Sequence, residues 1–227
     1  MKRFVAGLLA TAAAAYPACS HANLLVNSGF EDGTYSSSVP AQGIFPAHTD
    51  DNVPDGWTPD AGFADPFSAN GVVEADPHSG AAALQIGNRW SDPLATISQG
   101  FQTTAGQSYM VEFYLRLDGP FNTLTARIDG ASYLSISTGQ DPYEYVTTLA
   151  DGTTYTTHTH NYISEDFTVY GTGSDDLTFS DATAGGYAML DDVSVAPVPE
   201  PASWQMLMVG GLAVTGALAL RRRGGRA

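Results

Sequence analysis

Short runs in which apolar and polar residues alternate recur along residues 82–195, and turn-forming residues separate them. Alternation with a period of two puts one side of a strand in a core and the other in water, so it predicts β-strands. No convincing amphipathic-helix pattern interrupts these runs. The clearest hairpin signal is Asp129-Gly130, between two alternating runs. The predicted strands are Ala82–Ile86, Leu94–Phe101, Ser108–Leu117, Leu124–Ile128, Tyr133–Ser137, Tyr162–Tyr170, Leu177–Ser180 and Tyr187–Val195.

Many short strands at this spacing predict an all-β fold, a β-sandwich of jelly-roll type, for a single domain of residues 23–195. Two segments fit the alternation less well. Residues 34–70 are rich in Pro, Gly, Ser and Asp and are expected to form long loops, and residues 139–161 are expected to form an exposed, Thr- and Tyr-rich hairpin. Idle connections in a compact domain are usually shorter, so a binding role for these segments is a hypothesis.

The N-terminal residues have the pattern of a secretory signal peptide, predicted to span residues 1–22. Lys2-Arg3 precedes the apolar run 4–15, and Ser20-His21-Ala22 forms a small-x-small cleavage site. The alternative is a lipoprotein acylated at Cys19, although the residues before it make a poor lipobox. Cleavage after residue 22 removes the single cysteine, so the exported domain would contain no disulfide.

The C-terminal residues combine three features in order: the tripeptide Pro199-Glu200-Pro201, an uncharged apolar stretch at 202–220, and a basic tail at 221–227. A stretch of this length can span a membrane as a helix, and the arginines beyond it favour a cytoplasmic tail. Together with the short linker 196–201, these features resemble the PEP-CTERM sorting signal of Gram-negative bacteria. The resemblance implies anchoring in the inner membrane, processing by an exosortase, and delivery to the cell surface or the extracellular polysaccharide matrix. The alternative is an ordinary C-terminal membrane anchor.

The segment predicted to be exported, residues 23–198, is strongly acidic. It holds 23 of the 24 acidic residues but only 3 of the 9 basic ones, Arg89, Arg116 and Arg127, which gives a net charge near −20. Such a surface repels nucleic acid and anionic lipid and attracts cations. Nucleic acid is therefore excluded as a partner.

Four short motifs occur in a distinctive order along the exported segment. They are residues 23–33 with their Gly29-Phe30-Glu31 motif, Pro54-Asp55-Gly56-Trp57, His78-Ser79-Gly80 and Asp191-Asp192-Val193. In this order they resemble the galactose-binding-like jelly rolls, including carbohydrate-binding modules. The resemblance implies carbohydrate binding and a structural calcium ion held by Glu31 and Asp191, with loop carbonyls such as those of Gly33 or Ser79-Gly80 completing its shell.

The predicted orientation of Asp191 supports the metal site independently of the resemblance. By parity, Asp191 shares a strand face with Tyr187, Met189, Val193 and Val195, so it is expected to point into the core, with Asp192 pointing outward. A buried carboxylate needs a partner. The alternative to calcium is a carboxylate bonded to loop amides or to an arginine.

Sugar binding requires aromatic faces beside polar groups, and the candidates are Trp90, Trp57 and Tyr143, with Tyr145, Tyr155 and Tyr162 as further tyrosines. Trp90 lies in the polar sequence Asn88-Arg89-Trp90-Ser91-Asp92, which follows a predicted strand. Trp57 could instead pack at one end of the sandwich, and the tyrosines could be ordinary exposed strand residues.

Signals for catalysis are weak, and we assign no catalytic residue. No Gly-x-Ser-x-Gly elbow occurs, and acid pairs such as Asp50-Asp51 and Asp175-Asp176 are expected by chance in so acidic a chain. His158-Thr159-His160 could put two imidazoles on one strand face as a zinc pair, but no third ligand is evident. The prediction is therefore a non-enzymatic exported protein that binds or organises carbohydrate. The alternatives are a structural or adhesive matrix protein without a sugar site and a glycan-degrading enzyme.

Overall fold

The computed structural model describes residues 22–32, 53–60, 62, 70–73, 76–87, 94–183 and 186–199. These residues form β-strands and no helix, which confirms the all-β prediction. The strands are β1 Thr58–Pro59, β2 Gly71–Val73, β3 Ala83–Ile86, β4 Ala95–Gln102, β5 Ser108–Asp118, β6 Asn122–Ile128, β7 Ala131–Thr138, β8 Glu144–Leu149, β9 Thr154–His158, β10 Ile163–Tyr170, β11 Ser174–Thr183 and β12 Tyr187–Pro197.

The strands form two antiparallel sheets, as the β-sandwich prediction requires. One sheet has the order β1-β4-β11-β6-β7-β8-β9, and the other has the order β10-β5-β12-β3-β2. Between successive strands the chain changes sheet at every step except β2 to β3 and the run from β6 to β9. Sheet order therefore differs from sequence order, and β10 pairs with β5 rather than with β9 or β11.

Each of the eight predicted strands coincides with an observed strand. The hairpin predicted at Asp129-Gly130 joins β6 to β7, and both turn residues have positive φ, 51° and 81°. The segment 139–161 contains the β8–β9 hairpin, which turns around Asp151-Gly152. Period-two alternation thus located eight of the twelve described strands, whereas the short strands β1 and β2 were not predicted.

The core lies between the sheets and follows the alternation of the long strands. On β5, Val111, Phe113, Leu115 and Leu117 are buried at every second position. Phe113 meets Phe179 of β11 at a ring separation of 5.1 Å, edge to face, so the two sheets touch through these rings. Fully burying a side chain of this kind contributes about 1.5–3 kcal/mol.

The parity predicted for β12 is wrong at its first half, because a bulge interrupts the strand. The pairing of β12 with β5 shifts register between Asp191 and Ser194, and Asp192 has a φ of 47°. Ala188 and Leu190 face the core before the bulge, whereas Val193 and Val195 face it after the bulge. Tyr187 and Met189 therefore do not share a face with Val193 and Val195.

Asp191 is buried, as predicted, but for a different reason. It pairs with Tyr114 of β5, whose neighbours Phe113 and Leu115 face the core, so Asp191 lies on the outer face of the five-stranded sheet. Its side chain nevertheless has 0% exposure. The loop before β3 covers it, since the amides of His78 and Ser79 donate to its carboxylate.

The first described segment, residues 22–32, runs beside β12. The amide of Leu24 donates to the carbonyl of Val195, and the amide of Val193 donates to the carbonyl of Ser28, each at 2.9 Å. Phe30 is fully buried with a φ of 57°. These contacts place Glu31, the next residue, beside the loop that covers Asp191.

Several predicted features lie outside the described residues. They are the signal-peptide residues 1–21, Gly33, the acid pair Asp50-Asp51, Trp90, Glu200 and Pro201 of the tripeptide, the predicted span 202–220 and the tail 221–227. Within the part of the chain that the structure describes, there is no helix with the length and hydropathy needed to cross a membrane.

Candidate functional site

Asp191 is held by backbone amides. One carboxylate oxygen accepts hydrogen bonds from the amides of His78 at 2.8 Å and Ser79 at 3.1 Å, and the other accepts one from Asp192 at 2.7 Å. Burial raises the pKa of Asp191, while the amide hydrogen bonds oppose this rise. Asp191 therefore has the partners that the alternative to calcium requires, a carboxylate bonded to loop amides.

Glu31 binds the same loop a few residues further on. Its carboxylate accepts hydrogen bonds from the amides of Ala81, at 3.0 and 3.1 Å, and Ala82, at 3.3 Å. The structure thus brings both predicted metal ligands to the segment 78–82. Oδ2 of Asp191 and Oε1 of Glu31 each accept two amide hydrogen bonds already. The lone pairs left for calcium therefore lie on Oδ1 of Asp191 and Oε2 of Glu31, which accept one amide bond each.

Gly80 is required where Glu31 meets this loop. It has a φ of 62°, and a Cβ atom there would lie 2.0 Å from Oε1 of Glu31. We expect Gly80→Ala to lose about 1 kcal/mol through backbone strain and about 1 kcal/mol more because Glu31 must leave its amides. Gly106→Ala is the control, because Gly106 has a φ of 81° but open space around its Cβ position. Thermal unfolding should show a clearly larger loss for Gly80→Ala, and equal losses would contradict the role given to Glu31.

Asp192, beside the buried Asp191, fixes the side chain of His78. Its carboxylate lies 2.7 Å from Nδ1 of His78 and accepts a hydrogen bond from the hydroxyl of Ser79 at 2.8 Å. The ring of His78 then stacks on Tyr114 with a centroid separation of 3.6 Å. The loop and the outer face of the five-stranded sheet are thereby joined.

A group of aromatic and charged side chains lies on this outer face; we call it the tyrosine patch, and it comprises Tyr114, Arg116, Asp118, Tyr162 and Tyr187. Arg116 lies 5.4 Å from the ring centroid of Tyr162 and 3.1 Å from the carboxylate of Asp118. Tyr187 is the cross-strand partner of Asp118, and burial together with the charge of Asp118 raises the pKa of the Tyr187 phenol. The patch therefore places half-buried phenol rings beside a fixed cation and a fixed carboxylate, and His78 covers one face of the Tyr114 ring.

Ionisation in the tyrosine patch is well defined. Burial disfavours the charge on Arg116, but Asp118, Tyr162 and Asp76 outweigh burial and raise the pKa of the guanidinium. Burial raises the pKa of Tyr162, and burial together with Asp118 raises that of Tyr187. At neutral pH Tyr162 and Tyr187 are therefore neutral phenols and Arg116 is a cation.

The predicted sugar-binding residues have different outcomes. Trp57 is 5% exposed and packs against Phe30 and Phe179, so it presents no open ring face and the structure does not support its role in stacking on sugar. Tyr145 is also buried, with its hydroxyl bonded to the backbone of Leu117. Tyr143 is 44% exposed, although His160 packs against its ring. Trp90 lies outside the described residues.

Sequence reasoning did not select Tyr114, Arg116 or Tyr187. A signal for Arg116 was present, since it is one of three basic residues in residues 23–198 and alternates with core positions on a predicted strand. Its partners could not be inferred, because β10 and β12 lie on either side of β5 only in the folded sheet.

His158 lies in a group that could hold a metal ion, but with partners other than those expected. It approaches Asp141 and Glu144, and the three ligating atoms lie within 4.8 Å of one another. His160, the predicted second imidazole, packs on Tyr143 instead, with ring centroids 3.7 Å apart. The acid pair Asp175-Asp176 has a structural explanation, because the side chain of Asp175 accepts hydrogen bonds from Thr103 and Thr172.

No protein-family model and no curated protein matches the sequence. Among solved structures, the chain is similar to a CBM61 module solved with β-1,4-galactotriose, with a TM-score of 0.44, 18% identity, and coverage of 78% of this chain and 99% of the module. It is also similar to the CBM22-1 xylan-binding domain of Paenibacillus barcinonensis Xyn10C, with a TM-score of 0.41, 14% identity, and coverage of 66% of this chain and 90% of that domain. The enzymatically active domain of bacteriophage CBA120 tailspike protein 4 gives a TM-score of 0.46, 11% identity, and coverage of 78% of this chain and 21% of the tailspike chain. At these levels of similarity, function has to be argued from the site itself.

Proposed function

We propose that this protein binds carbohydrate through the tyrosine patch. The observation that carries the proposal is the grouping of neutral phenol rings with the Arg116–Asp118 pair on the outer face of the five-stranded sheet. A sugar ring has apolar C–H faces and a polar hydroxyl edge. Aromatic rings suit the faces, and a fixed guanidinium and carboxylate suit the edge through charge-assisted hydrogen bonds.

The charge distribution narrows the class of glycan. The exported segment has a net charge near −20, so long-range electrostatics oppose a polyanionic polysaccharide. Within the patch, the charge of Arg116 is already paired with Asp118 at 3.1 Å and approaches Asp76 at 3.9 Å. A neutral glycan with free hydroxyl groups is the favoured ligand class.

We expect Tyr162→Ala to weaken glycan binding about tenfold, which corresponds to about 1.4 kcal/mol. Tyr162 lies just before β10 and contributes a ring to the patch. Tyr170 is the matched control, because it lies at the far end of β10, is 71% exposed and is not part of the patch. A glycan array followed by titration with the selected glycan measures both variants, and melting curves verify that they fold.

Three outcomes of the glycan experiment decide between the alternatives. Selective binding that survives Tyr170→Ala but not Tyr162→Ala supports the proposal, and its loss in Trp90→Ala would add Trp90 to the site. Absence of selective binding favours a structural or adhesive matrix protein. Release of reducing ends from exopolysaccharide favours a glycan-degrading enzyme.

Calcium bound by Glu31 and Asp191 forms a separate part of the proposal. In its favour, both carboxylates bind the loop 78–82, near the junction of the N-terminal segment with β12, and carboxylate oxygens are the ligands that calcium prefers. Each carboxylate is already held by amides, so a destabilising substitution cannot identify the ion. A fall in melting temperature when calcium is removed by a chelator tests it, and an unchanged melting temperature argues against calcium.

We further propose that the protein is exported and sorted to the cell surface or the extracellular matrix of a Gram-negative bacterium after processing by an exosortase. This rests on the sequence pattern of Pro199-Glu200-Pro201, the apolar stretch 202–220 and the arginine tail. Mass spectrometry of the native C-terminus tests it. Intact, unprocessed chain recovered from the cytosol would contradict it.

A further inference from the structure

Two acidic side chains and an imidazole meet at the open end of the β8–β9 hairpin. Glu144 begins β8 and His158 ends β9, and the two residues form a cross-strand pair. Nε2 of His158 lies 3.4 Å from Oε2 of Glu144. Asp141, in the turn before β8, completes the group, with all ligating atoms within 4.8 Å of one another.

We propose that Asp141, Glu144 and His158 bind a divalent transition-metal ion of the zinc class. Ligands about 2.0–2.1 Å from a tetrahedral zinc ion are about 3.4 Å from each other, which is the separation observed between His158 and Glu144. An imidazole nitrogen among the donors favours zinc and its neighbours over calcium or magnesium, which prefer oxygen ligands only. The site is distinct from Glu31 and Asp191, which bind the loop before β3.

The turn that carries Asp141 is held by hydrogen bonds of its own. The amide of Tyr143 donates to Oδ1 of Asp141 at 2.9 Å, and the amide of Thr159 donates to the carbonyl of Tyr143 at 3.0 Å. The first bond leaves the second carboxylate oxygen of Asp141 for a metal. Ligands positioned by the backbone lose less conformational entropy when the ion binds.

Three protein ligands leave one tetrahedral position open. A cavity of 470 Å³ adjoins the site and is lined by Asp141, Glu144, Gly139, Gln140 and Val146. Two of the three metal ligands therefore face a space large enough for water or a small oxygen ligand. An open position beside a cavity distinguishes this geometry from a closed, fully protein-coordinated structural site.

Calorimetric titration of the purified, metal-stripped full-length protein with zinc chloride tests the inference, with cobalt(II) absorption as a second readout. We expect one zinc ion per chain, and affinity at least tenfold weaker in His158→Ala and in Glu144→Gln. His160→Ala is the control and should keep its affinity, because His160 packs on Tyr143 rather than in the group. Melting curves without metal verify that each variant folds.

The alternative outcomes are unambiguous. No zinc binding by the wild type, or equal binding by His158→Ala, would overturn the site. Equal loss in His158→Ala and His160→Ala would instead assign the ion to the two imidazoles and overturn the three-residue group. None of these results bears on sugar binding by the tyrosine patch, so failure of one proposal is distinguishable from failure of the other.

Discussion

Asp191→Ala is expected to lower the unfolding free energy by about 3 kcal/mol, because three backbone amides lose their acceptor at a site with 0% exposure. An unsatisfied buried donor costs about 1–3 kcal/mol, and part of this cost is offset because a desolvated charge is removed. For a domain of this size the loss corresponds to a decrease in melting temperature of about 6–12 °C. Thermal unfolding at neutral pH provides the measurement.

Asp192→Asn is the matched control for this experiment. Asparagine tolerates the positive φ of Asp192, and the Asp192 side chain is partly exposed where it meets His78 and Ser79. We expect a loss of no more than about 1 kcal/mol. If the two variants melt alike, the amide cluster around Asp191 is not what holds the loop before β3.

The same pair of measurements, repeated with chelator, separates the amide cluster from the calcium proposal. The hydrogen bonds alone predict that Asp191→Ala is destabilising in both conditions. Bound calcium predicts an additional fall in wild-type stability when the ion is removed, by mass action, and no such fall in the variant.

Strand positions were predictable from sequence because the period of two is a local property. The bulge in β12 was not predicted, and it reverses the parity on which the orientation of Asp191 was argued. A signal was present, since aspartate is among the residues that tolerate positive φ and two aspartates are adjacent there. A strict alternation of faces does not allow for the extra residue that a bulge inserts, so it assigns the residues on one side of the bulge to the wrong face.

The candidate sites depend on contacts that the sequence pattern does not specify. Tyr162 and Arg116 meet because β10 lies beside β5, a sheet order that no local pattern encodes. The group Asp141, Glu144 and His158 could be predicted more nearly from the sequence. A hairpin centred on Asp151 pairs Glu144 with His158, so the turn signal together with the register would have identified Glu144 as a partner of His158.

Glu165 is a buried acid whose charge is expected to lower the free energy of unfolding at neutral pH. It lies on β10 with 2% exposure and accepts hydrogen bonds from the hydroxyls of Thr147 on β8 and Tyr155 on β9, in the facing sheet. None of the ion pairs between described residues includes it. Burial raises the pKa of Glu165 and also raises that of Tyr155 to about 12, so the phenol remains a donor.

Glu165→Gln is therefore expected to stabilise the protein at neutral pH. A carboxyl whose folded-state pKa is raised contributes stability that is complete below its ordinary value, near 4.5, and is lost as the pH rises through the folded-state pKa. We therefore expect an increase of a few degrees in melting temperature at pH 7–8. Glutamine keeps an acceptor for Thr147 and removes the desolvated charge.

The dependence on pH distinguishes this electrostatic account from a packing effect. The advantage of Glu165→Gln should disappear near pH 4, where the wild-type carboxyl is protonated in both states. Asp166→Asn is the control, because Asp166 is the neighbouring acid on the exposed face of β10, and it should change the melting temperature little at either pH. A gain for Glu165→Gln that persists undiminished at pH 4 would show that the buried charge is not its cause.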